Sequence, residues 1–539
     1  MSRQHDHILA LLNLLNRLGC HHFFVCPGSR DAPIIHALGQ MNKAEMYSQL
    51  DERCAGYHAL GLAKHLGKPV AVVCTSGTAA LNLSPAMAEA FYQNVSIIAI
   101  TADRPLDALN TFENQTINQS GIFANYVGAE LHIELDRKLS QQLKNGLGTK
   151  IQEAVFNNKP IHLNIHLSEP LYHFEESGST NKDMLFSIGP QNELEGGAKE
   201  IPEAILTRLR NAKRALIVLG FSAQKEAFQN HGQIVIADVC SANYRNGNIA
   251  FADFFIEQMS VHEKEDLMPD VLITSGTYLL SKRLRNWLKK SKPAYHLHIG
   301  RAPELKSSYS KDFDVLDWSM SNVLAHLKTN KDYSNKWFAL EKKYETIVQN
   351  RRSAMKSTFM ETLFYLLNQV DQSLLHCGNS MSVRYAALFQ SLRRKFDSII
   401  CNRGTSGIDG CVSTFLGYGC NTDYRQWLLV GDLSFFYDSN AFWLSALPKK
   451  FVIMVINNHL GQIFNVIDGP DQLKDGQSFI TSPHPHSVQQ IAQMHRITYF
   501  KVENLADAKQ LNLNASEKVI IEIFDDNPET PEHYKTIYA

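Results

Sequence analysis

Two apolar runs in the last third of the chain end on side chains that could hold a cation. Trp427 to Val430 stops at Gly431-Asp432, and Phe451 to Ile456 stops at Asn457-Asn458. A carboxylate and an amide oxygen are hard donors, of the kind that bind Mg²⁺ while leaving positions for phosphate oxygens. A helix beginning just after Gly431-Asp432 would aim unpaired N–H groups at the same place, which favours an anion. The chemistry expected is a divalent cation bridging a diphosphate. Gly-Asp alone is more often a plain polar strand end; the Asn-Asn one strand–helix–strand unit later makes the reading specific. Near the start of the chain, Arg30, Glu52 and Arg104 likewise follow strand-like runs. Each has an ordinary explanation, Glu52 as a helix N-terminal carboxylate favoured by the macrodipole. Three polar groups at the carboxyl ends of one sheet nevertheless mark a ligand crevice.

The elements that must carry these residues read as alternating strand and helix. In residues 1–172, strands HFFVC (22–26), Met46–Leu50, VAVVC (70–74) and VSIIAI (95–100) alternate with helices, including one from Cys54 to Leu66 and one from Ala79 to Phe91. Residues 201–325 repeat the pattern in ALIVLGF, QIVIADV, DVLITSG and AYHLHIG, without a Gly-x-Gly-x-x-Gly after the first strand, so dinucleotide binding there is unsupported. A charged helix from Lys331 to Lys356 precedes SLLHCG, SIICN, WLLVG, FVIMVINN, ITYFKV and VIIEIF. The fold class is α/β, with three doubly wound parallel-sheet domains at 1–180, 195–345 and 355–539. The first and last agree in size and element order. Apolar density drops between Tyr172 and Glu200, as in a surface linker.

Composition narrows the function classes. With 539 residues the chain exceeds one core, and a formal net charge of -1 gives no basic footprint for nucleic acid. No apolar run approaches the roughly 18 residues of a membrane span. The first residues form an amphipathic pattern (Ile8, Leu11, Leu12, Leu15, Leu18) unlike a signal peptide. Nine scattered cysteines without a Cys-x-x-Cys pair point to buried thiols in a cytoplasmic protein. His21-His22 and His484-Pro-His486 lack ligand spacing and are expected at the surface or in structural roles.

The motifs PGSR (27–30), LDERCAGYHALGLAK (50–64), VAVVCTSGTA (70–79), TADRP (101–105), NQTINQ (114–119), SKRL (281–284), GNSMSVR (378–384), NRGTSGIDG (402–410), GDLSF (431–435) and NNHLGQIF (457–464) resemble those of thiamine-diphosphate enzymes. Within them, NRGTSGIDG, TADRP and GDLSF resemble the carboligase branch of menaquinone biosynthesis. The resemblance implies a pyrimidine-binding domain, a middle transhydrogenase-like domain and a diphosphate-binding domain, with the active site completed between subunits of a homodimer or homotetramer. It implies Glu52 as the catalytic residue, hydrogen-bonded to the cofactor's aminopyrimidine. Asp432, Asn458 and the carbonyl of Leu460 become the ligands of Mg²⁺ or Mn²⁺; Leu460 stands where many members carry glycine. Thr75, Ser76, Gly77, Ser406, Gly407, Ile408, Gly431, Leu433, Ser434, Gln462, Ile463 and Phe464 become cofactor contacts. The substrates implied are 2-oxoglutarate and isochorismate. Such carboxylates require converging cations, and Arg30, Arg104, Lys282, Arg283, Arg384 and Arg403 match that set, with Ser29, Gln115 and Ser380 as neutral contacts. Neither nucleic acid nor a membrane is implied as a partner. The rival readings are another thiamine-diphosphate decarboxylase or carboligase, against which GDLSF and the many basic motifs stand, and a non-catalytic binding protein, against which the set Glu52, Asp432 and Asn458 stands.

Overall fold

The computed structural model describes residues 2–134, 141–172, 186, 201–221, 225–226, 228–300, 306–354, 357–467, 469–470, 473 and 476–538. The expected linker between Tyr172 and Glu200 lies almost wholly outside them. The chain forms two compact units: residues 1–196, 402–424 and 434–450 in the first, and 197–401, 425–433 and 451–539 in the second.

The first unit is built on a parallel sheet of β1 (His22–Val25), β2 (Glu45–Ser48), β3 (Val70–Cys74), β4 (Ile97–Asp103), β5 (Ala129–Glu134) and β6 (Ile161–His166). Its order is β2-β1-β3-β4-β6-β5. Successive strand residues point to opposite faces. Phe23 and Val25 therefore join one core with Ile8, Leu11 and Leu15 of the first helix, while Phe24 joins another with Tyr57 and Leu60.

The second unit holds two parallel sheets. One contains β7 (Ala215–Leu219), β8 (Ile234–Ala237), β9 (Val271–Ser275), β10 (Tyr295–Ile299) and β11 (Phe313–Leu316), in the order β11-β10-β9-β7-β8. The other contains β12 (Leu374–Cys377), β13 (Ser398–Cys401), β14 (Gln426–Gly431), β15 (Phe451–Asn457), β16 (Thr498–Val502) and β17 (Lys518–Phe524), in the order β13-β12-β14-β15-β17-β16. Strand for strand, this repeats the order of the first sheet. One continuous apolar core serves both sheets of the second unit.

Some elements differ from their sequence reading. The stretch from Ala79 to Phe91 is two helices, Thr78–Asn82 and Ser84–Gln93, because Pro85 starts a new one. Strand β4 runs on to Asp103, since Thr101, Ala102 and Asp103 pair with Asn164, Ile165 and His166 of β6. Strands β5, β6 and β11 are absent from the sequence reading: AELHIE and IHLNIH interrupt their apolar residues with polar ones, and FDVL offers no continuous apolar run. All nine cysteines are thiols, eight of them buried. Among the described residues, no helix is long and apolar enough to cross a membrane.

Candidate active site

In the first unit, Glu52 is the first residue of the helix Glu52–Leu66, which Asp51 caps by accepting the Cys54 N–H at 3.2 Å. The Glu52 carboxylate accepts from Asn82 Nδ2 at 3.0 Å. It borders a cavity of about 550 Å³ whose other walls are Pro27, the turn Thr75–Gly77, Thr78, Ala79, Asn82 and the segment 115–117. Gly28 lets the turn after β1 close onto the turn after β3, because a Cβ there would lie 2.3 Å from Thr75 Cβ. Gly77 adopts φ 82°, a conformation open to glycine. Ser76 Oγ donates to the Gln115 carbonyl at 2.9 Å. Thr75 Oγ1 is buried with no hydrogen-bond partner among the described residues. Here a carboxylate, a hydroxyl and backbone groups face a space that admits a heterocycle, which they could orient by hydrogen bonds.

Electrostatics concentrate beneath the cavity. Asp31 is wholly buried, neither of its side-chain oxygens has a hydrogen-bond partner among the described residues, and burial pushes its carboxyl from 3.8 up to about 7, with the Glu52 charge adding to the effect. Burial also raises the thiols of Cys26 and Cys74, and Glu52 and Asp31 reinforce it. Arg30 is buried, donating to the Leu167 carbonyl at 3.0 Å and paired with Glu169 at 3.0 Å. Burial, then the like charge of Arg104, lowers its guanidinium pKa. Arg104 donates to the Asn114 carbonyl at 2.8 and 3.1 Å, so two expected substrate cations meet on this unit. Ser29, beside Arg30, is exposed.

The loop 402–408 also belongs to the first unit. The fully buried Glu89 carboxylate accepts the N–H groups of Gly404 at 2.7 Å and Thr405 at 2.6 Å. Ser434 Oγ donates to the Ile408 carbonyl, while Ser406 and Ile408 are exposed and Arg403 and Gly407 half-buried.

In the second unit, Asp432 is 3 % exposed and closes β14 after Gly431. Its carboxylate accepts the N–H of Leu433 at 2.7 Å and of Asn458 at 3.1 Å, and His484 Nε2 stands 3.3 Å away. Burial is the main cause of its raised pKa. A carboxylate desolvated to this degree is disfavoured in its charged form, and a cation beside it would restore that form. The donor set of Asp432, Asn458 and a backbone carbonyl is therefore chemically suited to Mg²⁺. The left-handed residue is His459, at φ 61°, so the expected ligand Leu460 lies outside the region that favours glycine. Gln462 turns inward, accepting from Tyr385 Oη at 3.0 Å and donating to Asp525 at 3.2 Å, and Ile463 and Phe464 are half-buried.

A separate basic cluster of this unit joins its two sheets. Arg283 Nη1 lies 3.8 Å from Asp253, and its guanidinium covers the Tyr538 ring at 4.9 Å. Arg384 donates to the Ser380 carbonyl at 2.6 Å, and its charge acts on Asp253 together with that of Arg283. Lys282, the first residue of its helix, is exposed.

The chain is similar to known proteins over most of its length. Residues 9–122 match the family model described as thiamine pyrophosphate enzyme, N-terminal TPP binding domain. Proteins named 2-succinyl-5-enolpyruvyl-6-hydroxy-3-cyclohexene-1-carboxylate synthase match nearly end to end. That of Flavobacterium psychrophilum is 31% identical over 96% of this chain and 95% of its own length. That of Bacteroides thetaiotaomicron is 31% identical over 98% of each, and that of Desulfotalea psychrophila 32% over 92% and 93%. The chain belongs to the 2-succinyl-5-enolpyruvyl-6-hydroxy-3-cyclohexene-1-carboxylate synthase family.

As a member of this synthase family, the chain gathers several of its expected site residues into two sets. Glu52, Thr75, Ser76, Gly77 and Gln115 line one cavity, with Arg30 and Arg104 in the same unit. Gly431, Asp432, Leu433, Asn458 and Leu460 lie together in the second unit. Residues that sequence reasoning passed over are Asn82, Glu89, Gln119, Asp253 and His484. Gln119 sits in the quoted motif NQTINQ, where only Gln115 received a role. His484, expected at the surface or in a structural role, is half-buried with its Nε2 3.3 Å from Asp432.

Proposed function

We propose that the chain decarboxylates 2-oxoglutarate and joins the remaining four-carbon unit to isochorismate by 1,4-addition, with thiamine diphosphate and Mg²⁺ (or Mn²⁺). The products are 2-succinyl-5-enolpyruvyl-6-hydroxy-3-cyclohexene-1-carboxylate and CO₂. One C–C bond breaks as the carboxylate leaves, one forms between the former keto carbon and the ring, and one proton is taken up. The observation that carries the reading is near end-to-end similarity to named synthases, in a chain that has Glu52 in one unit and Asp432 and Asn458 at strand ends in the other, on sheets of identical strand order.

The roles divide as follows. Residues 1–180 form the pyrimidine-binding domain, 195–345 the middle domain and 355–539 the diphosphate-binding domain. Asp432, Asn458 and the Leu460 carbonyl hold the metal; Gly431, Leu433 and Ser434 receive the diphosphate at a helix start. Ser406, Gly407, Ile408, Ile463 and Phe464 flank the rings. When bound, thiamine diphosphate supplies the nucleophilic carbon and the electron sink. Glu52 shares a proton with the pyrimidine ring nitrogen, and Asn82 holds its carboxylate in place. Arg30, Arg104, Lys282, Arg283, Arg384 and Arg403 hold substrate carboxylates, assisted by Ser29, Gln115 and Ser380. Arginine forks suit such groups, and a monocarboxylate would not require so many.

The working unit is at least a homodimer. Leu50, Leu81, Tyr437 and Trp443 are exposed on segments adjoining Glu52, and a second subunit would cover them. Nine thiols fit a reducing compartment such as the cytoplasm. The deciding experiment mixes purified protein with thiamine diphosphate, Mg²⁺ and both substrates and follows isochorismate consumption and product mass. Succinic semialdehyde or acetolactate as the sole product would overturn the reading.

A further inference from the structure

The cavity beside Glu52 has two walls from distant parts of the sequence, and one buried side chain ties them to the sheet. Gln119 is fully buried. Its Oε1 accepts the Gly77 N–H at 2.9 Å, and its Nε2 donates to Asn164 Oδ1 at 2.7 Å and to the Ala102 carbonyl at 3.2 Å. The orientation of the amide is forced, because the Gly77 N–H can only donate and the Ala102 carbonyl can only accept. Asn164 is equally fixed: its Nδ2 donates to Asp103 at 2.8 Å, leaving Oδ1 for Gln119 and Thr101. Beyond Thr101 the network continues through His162 to Glu130. Four residues before Gln119, Gln115 receives the Ser76 hydroxyl, and its carbonyl would lie 3.3 Å from a Cβ on Gly77.

We infer that Gln119 is a positioning residue: through the Gly77 peptide and the Gln115 segment it sets the shape of the cavity, and with it the affinity for the cofactor's heterocycle. The inference rests on the reading of that cavity as the pyrimidine end of thiamine diphosphate. No other natural side chain of this size both accepts from Gly77 and donates to Asn164 and Ala102. A glutamate would set its carboxylate against two acceptors, and methionine would keep the volume but make none of the three hydrogen bonds.

The test measures thiamine diphosphate binding to the full chain, with Mg²⁺, by tryptophan fluorescence titration at pH 8 and pH 6, beside melting temperature. At pH 8, Gln119→Glu and Gln119→Met are expected to weaken binding about 10- to 100-fold relative to the parent. At pH 6 the glutamate variant recovers toward the parent, because its protonated carboxyl can donate again; the methionine variant does not. Asp103, Glu130, His162 and His166 of the network, and Glu52 in the cavity, are present in parent and variants alike, so the ratio to the parent isolates position 119. Parent-like binding by both variants, or equal weakening at both pH values, overturns the inference. Failure of the parent itself to bind thiamine diphosphate overturns the underlying reading instead. Should Gln119→Glu not fold, Gln119→Met decides: weaker binding at an unchanged melting temperature supports the role, and unchanged binding refutes it.

Discussion

At the scale of single residues, two carboxyls near one cavity face different surroundings. Glu52 is hydrogen-bonded to Asn82 at the cavity, whereas the Asp31 carboxyl is buried without a partner among the described residues. Glu52→Gln keeps the size and a hydrogen-bonding oxygen but cannot take up a proton. It is expected to retain thiamine diphosphate binding and lose about 100-fold or more of turnover, read by titration and steady-state rates. Asp31 yields a stability prediction whose sign can be worked out. Its folded pKa of about 7 exceeds the ordinary 3.8, so between those values the native state holds a proton that the unfolded chain has released. Stability therefore falls as pH rises through that window and levels off above it. Asp31→Asn removes the ionisation, and its stability relative to the parent should grow from pH 4 to pH 7 by about 2–4 kcal/mol. Urea unfolding midpoints across that range check this; a pH-independent difference would remove Asp31 as the source. Neither partner-free burial nor the amide bridge of Gln119 is readable from sequence, because the groups concerned lie up to 45 positions apart in the chain.

At the scale of elements, the first unit depends on close contact between the helix Glu52–Leu66 and the helix Cys411–Gly419. A Cβ on Gly61 would fall 2.0 Å from the Thr414 carbonyl, and one on Gly417 would fall 2.1 Å from the His58 carbonyl. Tyr57 Oη also donates to Asp409 at 2.6 Å, just before the second helix. Backbone meets backbone here, so no side chain can yield. Gly61→Ala should cost on the order of 2–4 kcal/mol despite better helix propensity. Gly146→Ala is the control: among the described residues nothing lies within 4 Å of a Cβ there in the helix Gln141–Phe156, so that change should be neutral or stabilising. Melting temperatures of the two variants are the readout. The strands themselves were legible as apolar runs bounded by polar ends, because parallel strands covered on both faces need no alternation. What escaped were strands β5, β6 and the short β11, the break at Leu83, and the polar extension of β4 through Asp103. Each is decided by a neighbour distant in sequence or by the N-terminal preference of proline.

At the scale of the whole molecule, acid sensitivity follows from histidines buried neutral in both units. Burial lowers His58 from 6.5 to about 4, His296 to about 3 and His298 to about 4. The unfolded chain protonates these side chains below pH 6.5, whereas the native state resists. Their stabilisation is complete above 6.5 and is lost as pH falls toward 4. Each contributes about 3 kcal/mol at neutral pH, and together they outweigh Asp31 and Asp438, which act in the opposite sense. The unfolding midpoint should therefore drop between pH 6.5 and 4, and His298→Gln should flatten part of that slope. A midpoint constant over this range would contradict the assignment.

The shared strand order of the first and last sheets has a historical consequence. In each, the chain reverses its direction of travel across the sheet between the first strand and the third: β1 and β3 in one, β12 and β14 in the other. In each, a glycine just past the first strand packs against the third, Gly28 against Thr75 and Gly378 against Val430. Duplication of one ancestral unit is the simplest account of this coincidence. The copies then specialised. One kept a carboxylate and a tight glycine turn at its crevice, and the other acquired a buried aspartate facing an asparagine. On that account, a loop exchanged between corresponding positions of the two halves meets a scaffold already shaped to receive it.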